Sequence, residues 1–213
     1  LLANAHDEAL FDHYFTSQLT RVALADGAAT PVGAPGVING FGMSPDGRYL
    51  LTTRLKRPYS YLVPAGRFPT EIQVLGAADG KLVKTLVDRP LADNLSSAFD
   101  SVVAGPRSPQ WRGDAPATLV WAEAQDGGDP KKKVAIHDRV LMQAAPFDAA
   151  PVTLIDLDLR YAGVDWGRGD FALVSSRWFD NRKEKRIAVD PSKHGAGRVL
   201  VERNYQDRYN DPG

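Results

Sequence analysis

FGMSPDGRYLLTTRLKRPYSYLVPAGRFPTEIQVLGAADGKLV, residues 41–83, reads as a β-meander. Ser-Pro-Asp-Gly at 44–47 is a tight turn, and Tyr49–Thr53 is the strand that leaves it. Ile72–Leu75 is a second strand, Ala78-Asp79-Gly80 a second turn and Leu82–Val87 a third strand. Asp-Gly turns between short apolar runs are the strongest local hairpin signal, because glycine adopts the positive φ such turns need without steric cost. The interior, RPYSYLVPAGRFP at 57–69, is longer than a hairpin connection requires.

A weaker copy of this pattern recurs twice. FGMSPDGRYLLTT (41–53), RSPQWRGDAPATLVWAE (107–123) and YAGVDWGRGDFALVSSRW (161–178) each place a large apolar residue before a Gly/Asp/Pro turn and an apolar strand. The apolar anchors Met43, Trp111 and Trp166 are 68 and then 55 residues apart. A β-propeller blade takes about 40–50 residues, so these spacings suit blades with insertions. Residues 139–143, 152–156, 185–189 and 197–202 supply further strands, as a four-stranded blade requires. The alternating run 17–24 reads as the outer part of an earlier blade, and 6–17 is the one helical candidate. The expected fold is all-β, a partial β-propeller of about three to four antiparallel four-stranded meanders. Its expected divisions are a blade end at 1–36 and blades at 37–100, 101–158 and 159–213. A β-sandwich also strings short strands between turns, but it has no reason to repeat. A closed ring needs at least four blades, so the chain reads as part of a larger ring.

Composition narrows the function classes. Hydrophobic residues make up 43% and charged residues 24%, and formal net charge is +0, so no global field favours nucleic acid or an anionic membrane. No apolar run approaches the roughly 20 residues that span a bilayer. There are no cysteines, which excludes disulfides, thiolate metal sites and a cysteine nucleophile within this sequence. The opening LLANAHDEAL has neither the charged start nor the apolar core of a signal peptide. It also lacks an initiator Met, as a fragment or processed form would, and bacterial periplasm and cytoplasm both stay open.

Catalytic signatures are missing. No G-x-S-x-G is present; the nearest string, Gly42–Gly47, lacks the second glycine, and its Ser44 reads as a turn residue. Gly40-Phe41-Gly42 is followed by no third glycine and sits in a hairpin, so it is no dinucleotide site. His6 and His13 are seven residues apart, too far for one metal shell, and read as a surface or interface helix; no metal or cofactor is expected. AQDGGDPKKK (124–133) suggests calcium through Asp126 and Asp129 but lacks the later bidentate Glu, and reads as a flexible inter-strand loop. Lys131–Lys133 and NRKEKR (181–186) read as solvated hairpin tips. Tyr59, Tyr61 and Phe68 lie among Arg54, Lys56, Arg57 and Arg67. Stacked Arg and Tyr could meet nucleic acid or a carboxylate. Equally, Arg57 and Arg67 could be satisfied by nearby acids such as Glu71, holding the long loop against its blade.

RPYSYLVPAGRFPTEIQV (57–74), AEAQDGGDP (122–130) and LDLRYAGVDW (157–166) together resemble the glutamyl endopeptidase branch of the prolyl oligopeptidase family of serine peptidases. The opening HDEALFDHYFTSQL and the closing YNDPG look like that branch too, so the resemblance runs along nearly the whole chain. It implies an N-terminal β-propeller that screens peptide access to a Ser-Asp-His site in a C-terminal α/β-hydrolase domain. This sequence matches propeller segments only, so no catalytic role carries over and the chain is expected to be inactive alone. The implied partners are that hydrolase domain and peptide substrates, with self-association through open blade edges as a further expectation. Cleavage after Glu needs a cation facing the substrate carboxylate, and Arg57 and Arg67 are the first candidates, Arg54 and Lys56 the second. The rival reading is a free-standing propeller that binds proteins or peptides.

Overall fold

A computed structural model describes residues 1–209, and the chain divides into two compact units, Leu1–Asn94 and Leu95–Gly213. In the first unit, helix α1 (Ala5–Phe15) starts where the Asn4 side chain accepts the Asp7 N–H at 3.0 Å. Asp7 and Glu8 in its first turn complement the positive end of the helix dipole. The strands that follow are β1 (Thr16–Ser17), β2 (Thr20–Val22), β3 (Ala29–Pro31), β4 (Gly36–Met43), β5 (Tyr49–Leu55), β6 (Thr70–Gly76) and β7 (Leu82–Arg89). They form an antiparallel sheet in the order β1-β4-β5-β6-β7, and β2 pairs with β3 in a separate hairpin.

Both turns of the opening stretch form as their residues dictate. The Ser44 hydroxyl donates to Asp46 at 2.7 Å and accepts the Tyr49 N–H at 3.0 Å, while Gly47 takes φ +72°. Gly80 takes φ +67°, and a Cβ there would stand 2.4 Å from the Gly33 nitrogen, so only glycine fits. The run 17–24 departs from expectation. It splits between β1 and the β2–β3 hairpin, because Leu19 packs with Val32 onto Leu50 and Leu75.

The second unit holds two four-stranded antiparallel meanders. One contains β8 (Pro106–Trp111), β9 (Thr118–Ala124), β10 (Asp138–Ala144) and β11 (Val152–Leu157). The other contains β12 (Arg160–Trp166), β13 (Ala172–Trp178), β14 (Lys183–Val189) and β15 (Gly197–Asn204). Their facing sides share one core, in which Val120, Val140 and Leu154 meet Tyr161, Val174 and Ile187. In β13 the alternation is strict: Ala172, Val174 and Ser176 are buried while Arg177 is exposed.

The three sequence repeats coincide with the first hairpin of each large sheet. Met43, Trp111 and Trp166 end β4, β8 and β12, and each chain turns back at once. The closing N–H···O bonds are alike: Ser44 to Tyr49 at 2.9 Å, Arg112 to Thr118 at 2.8 Å and Gly167 to Phe171 at 2.9 Å. Each first strand also slips register against its partner, at Ile38/Gly40, Arg107/Gln110 and Tyr161/Gly163. Such a bulge adds local twist, so the repeat preserves curvature as well as pattern. Among the described residues, no helix is long and apolar enough to cross a membrane.

Candidate functional site

The long insertion between β5 and β6 is closed at its neck by the Lys56 N–H donating to the Pro69 carbonyl at 2.8 Å. Within it, Tyr59, Val63 and Phe68 are buried and form a small core of their own. Tyr59 stacks on Phe68 at 5.1 Å, and Phe11 of α1 meets their edges at 5.0 and 6.0 Å. The aromatic residues of the insertion therefore dock the helix.

The charges follow the same logic. Arg57 donates through Nε and Nη2 to Asp12 Oδ2 at 2.9 and 2.7 Å, and through Nη1 to Glu8 at 2.5 Å. Its guanidinium lies 4.8 Å from the centre of the Tyr59 ring, and the Tyr59 hydroxyl donates to Asp12. Burial pushes the Asp12 carboxyl up, but hydrogen bonds from Tyr59 and Arg57 outweigh it and hold it below its ordinary value. Burial and the Asp12 carboxylate raise the Tyr59 phenol. Glu8 and Asp12 are four residues apart and so share one helix face, the signal in the sequence that could have found this clamp and that the sequence reading missed.

The other basic candidates separate. Lys56 reaches Asp88 at 2.5 Å and Glu71 at 3.7 Å, and the Asp88 carboxylate raises its ammonium above its ordinary value. Arg54 donates to the Ala34 carbonyl. Arg67 ends the 3₁₀ turn Ala65–Arg67, where its own carbonyl accepts the Ala92 N–H at 2.9 Å. Lys56 and Arg57 line an open groove of about 520 Å³ with Pro58, Pro69, Asp88 and Leu91, whereas Arg54 and Arg67 are not in its lining. Glu71, the acid that the sequence suggested for Arg57 or Arg67, faces Lys56 instead.

In the second unit a buried charge network joins two of the motifs quoted above. Arg160 opens β12, with a side chain only 6% exposed. It donates to Asp126 at 2.6 Å, to Asp138 at 3.1 Å, and to the carbonyls of His137 and Asp100 at 3.0 and 2.8 Å. Asp138 also takes Arg107 and the Tyr161 N–H, the latter at 2.6 Å. His137 Nδ1 lies 2.7 Å from Asp126, and its ring sits 4.3 Å from Trp178. The paired His137 and Asp126 are thus part of a structural network that orients Arg160.

This corrects the flexible reading of 124–133 for its first half. Asp126 is 1% exposed and accepts the Gly128 N–H at 2.8 Å, and a Cβ on Gly128 (φ +87°) would stand 1.9 Å from the Val102 carbonyl oxygen. Lys131–Lys133 are exposed, as a hairpin tip would be. Among the described residues, no group of His, Cys, Asp or Glu is placed to hold a metal ion.

Burial pushes the Asp126 carboxyl up, but Arg160, His137 and the Gly128 N–H together hold it below its ordinary value. A carboxyl depressed in the folded state stabilises above its unfolded pKa, about 3.9, and loses that contribution as pH falls through the folded value. Urea midpoints of the full-length protein should therefore fall below about pH 4, and the fall should be shallower in Asp126→Asn. Parallel acid limbs would show that Asp126 carries none of it.

No family model matches the chain. It is 44% identical over its full length to a protein of Oryza sativa subsp. japonica named "Probable glutamyl endopeptidase, chloroplastic". It is 43% identical, again over its full length, to the protein of the same name in Arabidopsis thaliana. The chain spans 23% and 22% of these relatives, less than a quarter of either. An acylaminoacyl peptidase solved with Z-Gly-Gly-Phe-chloromethyl ketone superposes over 87% of this chain and 28% of its own, with a TM-score of 0.53 and 14% identity. An oligogalacturonate lyase solved with manganese covers 87% of this chain and 48% of its own, with a TM-score of 0.53 and 13% identity. At such identities these structures bear on fold alone. Full-length identity relates the chain to a segment of two plant proteins named as probable glutamyl endopeptidases, and its repeated antiparallel four-stranded sheets make that segment part of a β-propeller.

Proposed function

We propose that this segment is the non-catalytic part of a serine peptidase, screening peptides on their way to a Ser-Asp-His site in an α/β-hydrolase domain of the same protein. The observation that carries this is the full-length match to two proteins named as glutamyl endopeptidases. The absence of any G-x-S-x-G in the 213 residues agrees with chemistry supplied from elsewhere. The full-length protein should cleave short Glu-containing peptides with a kcat/KM about tenfold or more above that for the same sequence within a folded protein. Equal values would overturn the screening role, and no cleavage of either would overturn the peptidase reading.

The four basic candidates enter this proposal in a narrower form. Lys56 and Arg57 line one groove, which supports them over Arg54 and Arg67 as the pair that would meet a peptide. Arg57 already answers two carboxylates, so its share in recognising a third is small. Arg57→Ala should change kcat/KM for Glu peptides by less than about threefold; a tenfold loss would put its guanidinium on the substrate. Arg67→Ala and Arg54→Ala are read in the same assay.

A further inference from the structure

In both four-stranded sheets of the second unit the first strand lies at the edge, so β8 and β12 are each paired on one side only. An unpaired edge presents N–H and C=O groups to which another chain can add. β8 is blunted by Pro109, which has no N–H to offer, whereas β12 contains no proline. The ends of β12 show which of its groups face outward. Gly167 gives its N–H to Phe171 at 2.9 Å. Antiparallel ladders alternate, so Asp165 and Gly163 also bond to β13, and the N–H and C=O of Val164 point away from it. At the other end the Tyr161 N–H leaves the sheet for the Asp138 carboxylate at 2.6 Å. The register slip between Tyr161 and Gly163 accounts for the change of phase. Among the described residues no strand pairs with β12 on the side to which Val164 turns these groups.

Val164 lines a cavity of about 330 Å³. One wall is continuous backbone, residues 162–165, and a Cβ on Gly163 would meet no atom within 4 Å. Gln110 and Ser175 add neutral polar groups, and the Gln110 amide is fixed by donating to the Tyr161 hydroxyl at 2.7 Å. The charged groups of the lining are Arg177 and Asp165, one of each sign. Arg177 is itself answered, since its Nε and Nη2 reach Glu184 Oε2 at 2.6 and 2.5 Å. Glu184, read from the sequence as part of a solvated tip, has a side chain only 1% exposed, with Arg177 and Arg203 as its register partners on either side. A lining without net charge and with a bare backbone wall suits main-chain amides rather than an ionised side chain.

We propose that the free edge of β12 at Val164 takes up an extended peptide by strand addition, the peptide main chain exchanging N–H···O=C bonds with Val164. Gln110 and Ser175 supply further hydrogen-bonding groups beside it. Main-chain bonds are the same for every residue type, so the site holds peptides of differing sequence. The proposal rests on the peptidase reading only for the ligand being a peptide.

Binding is measured by fluorescence anisotropy on the full-length protein treated with a serine-directed fluorophosphonate. The probes are a short N-acetylated, C-terminally amidated Glu-containing peptide and the same peptide N-methylated throughout. Val164→Pro removes the outward N–H without breaking a bond to β13, and Val164→Ala is its control with the N–H kept. The unmethylated peptide should bind Val164→Pro about fivefold or more weakly than Val164→Ala, and the methylated one should bind both alike. Amide exchange of the wild type, read residue by residue, should slow at Val164 when the unmethylated peptide is added. That measurement decides the matter where Val164→Pro fails to fold. Equal binding of the unmethylated peptide by the two variants, a loss that the methylated peptide shares, or unchanged exchange at Val164 would each overturn the proposal. Hydrolysis by untreated protein is scored separately. Cleavage without protection at Val164 sinks this inference and leaves the peptidase reading, whereas protection without cleavage does the reverse.

Discussion

Arg160→Ala lowers the stability of the full-length protein by about 3–5 kcal/mol, because removing one partner of a buried ion pair strands the other. Two carboxylates are affected, since Asp126 and Asp138 both have side chains 0% exposed and both accept from Arg160. Each keeps some partners: His137 and the Gly128 N–H for Asp126, Arg107 and the Tyr161 N–H for Asp138. The loss is therefore one of charge compensation more than of hydrogen-bond count. Arg160→Met, which keeps the apolar bulk beside Trp178, should lose nearly as much. Adding Asp126→Asn and Asp138→Asn to it should restore part of the loss, because the uncompensated charges are then gone. Urea unfolding of the four proteins decides it. A loss below about 1 kcal/mol for Arg160→Ala would mean that water reaches the carboxylates.

Phe68→Ala should cost about 3–5 kcal/mol, the range for truncating a buried aromatic side chain and leaving its cavity. Phe68 is 2% exposed and carries the stack with Tyr59 and the edge contact with Phe11. α1 has no buried residue, so its hold on the unit comes from Phe11 at this cluster and from the Arg57 clamp. Hydrogen exchange should show loss of protection in α1 and in residues 57–69, with β5 and β6 largely spared. Phe68→Leu should lose well under half as much, because it fills most of the cavity. Uniform loss of protection across the sheet would show that the cluster belongs to the main core.

Much of the fold is legible in the residues. Ser-Pro-Asp-Gly and Ala-Asp-Gly specify their turns through side-chain-to-backbone bonds two to five residues long, which sequence spacing encodes directly. Met43, Trp111 and Trp166 mark three equivalent hairpins because the same strand–turn–strand unit is reused. The run 17–24 is the instructive failure. Its alternation fits a strand, but Leu19 turns onto Leu50 and Leu75, and only β1 joins the sheet. The site was harder to see. Glu184 sits inside NRKEKR, where nearly every neighbour is charged, and its burial comes with Arg177 and Arg203, its register partners on the two adjacent strands.

By itself the sequence determined the strands, the turns and the family resemblance, because each rests on residues close together in the chain or on motifs in order. Only the tertiary structure decided which charges are spent and which remain. Arg57 meets Glu8 across 49 residues, and Arg160 meets Asp126 across 34. A cation in a sequence is the same symbol whether one carboxylate or two stand against it. Coulombic compensation depends on distance in space, and that is set by how the sheets and α1 pack.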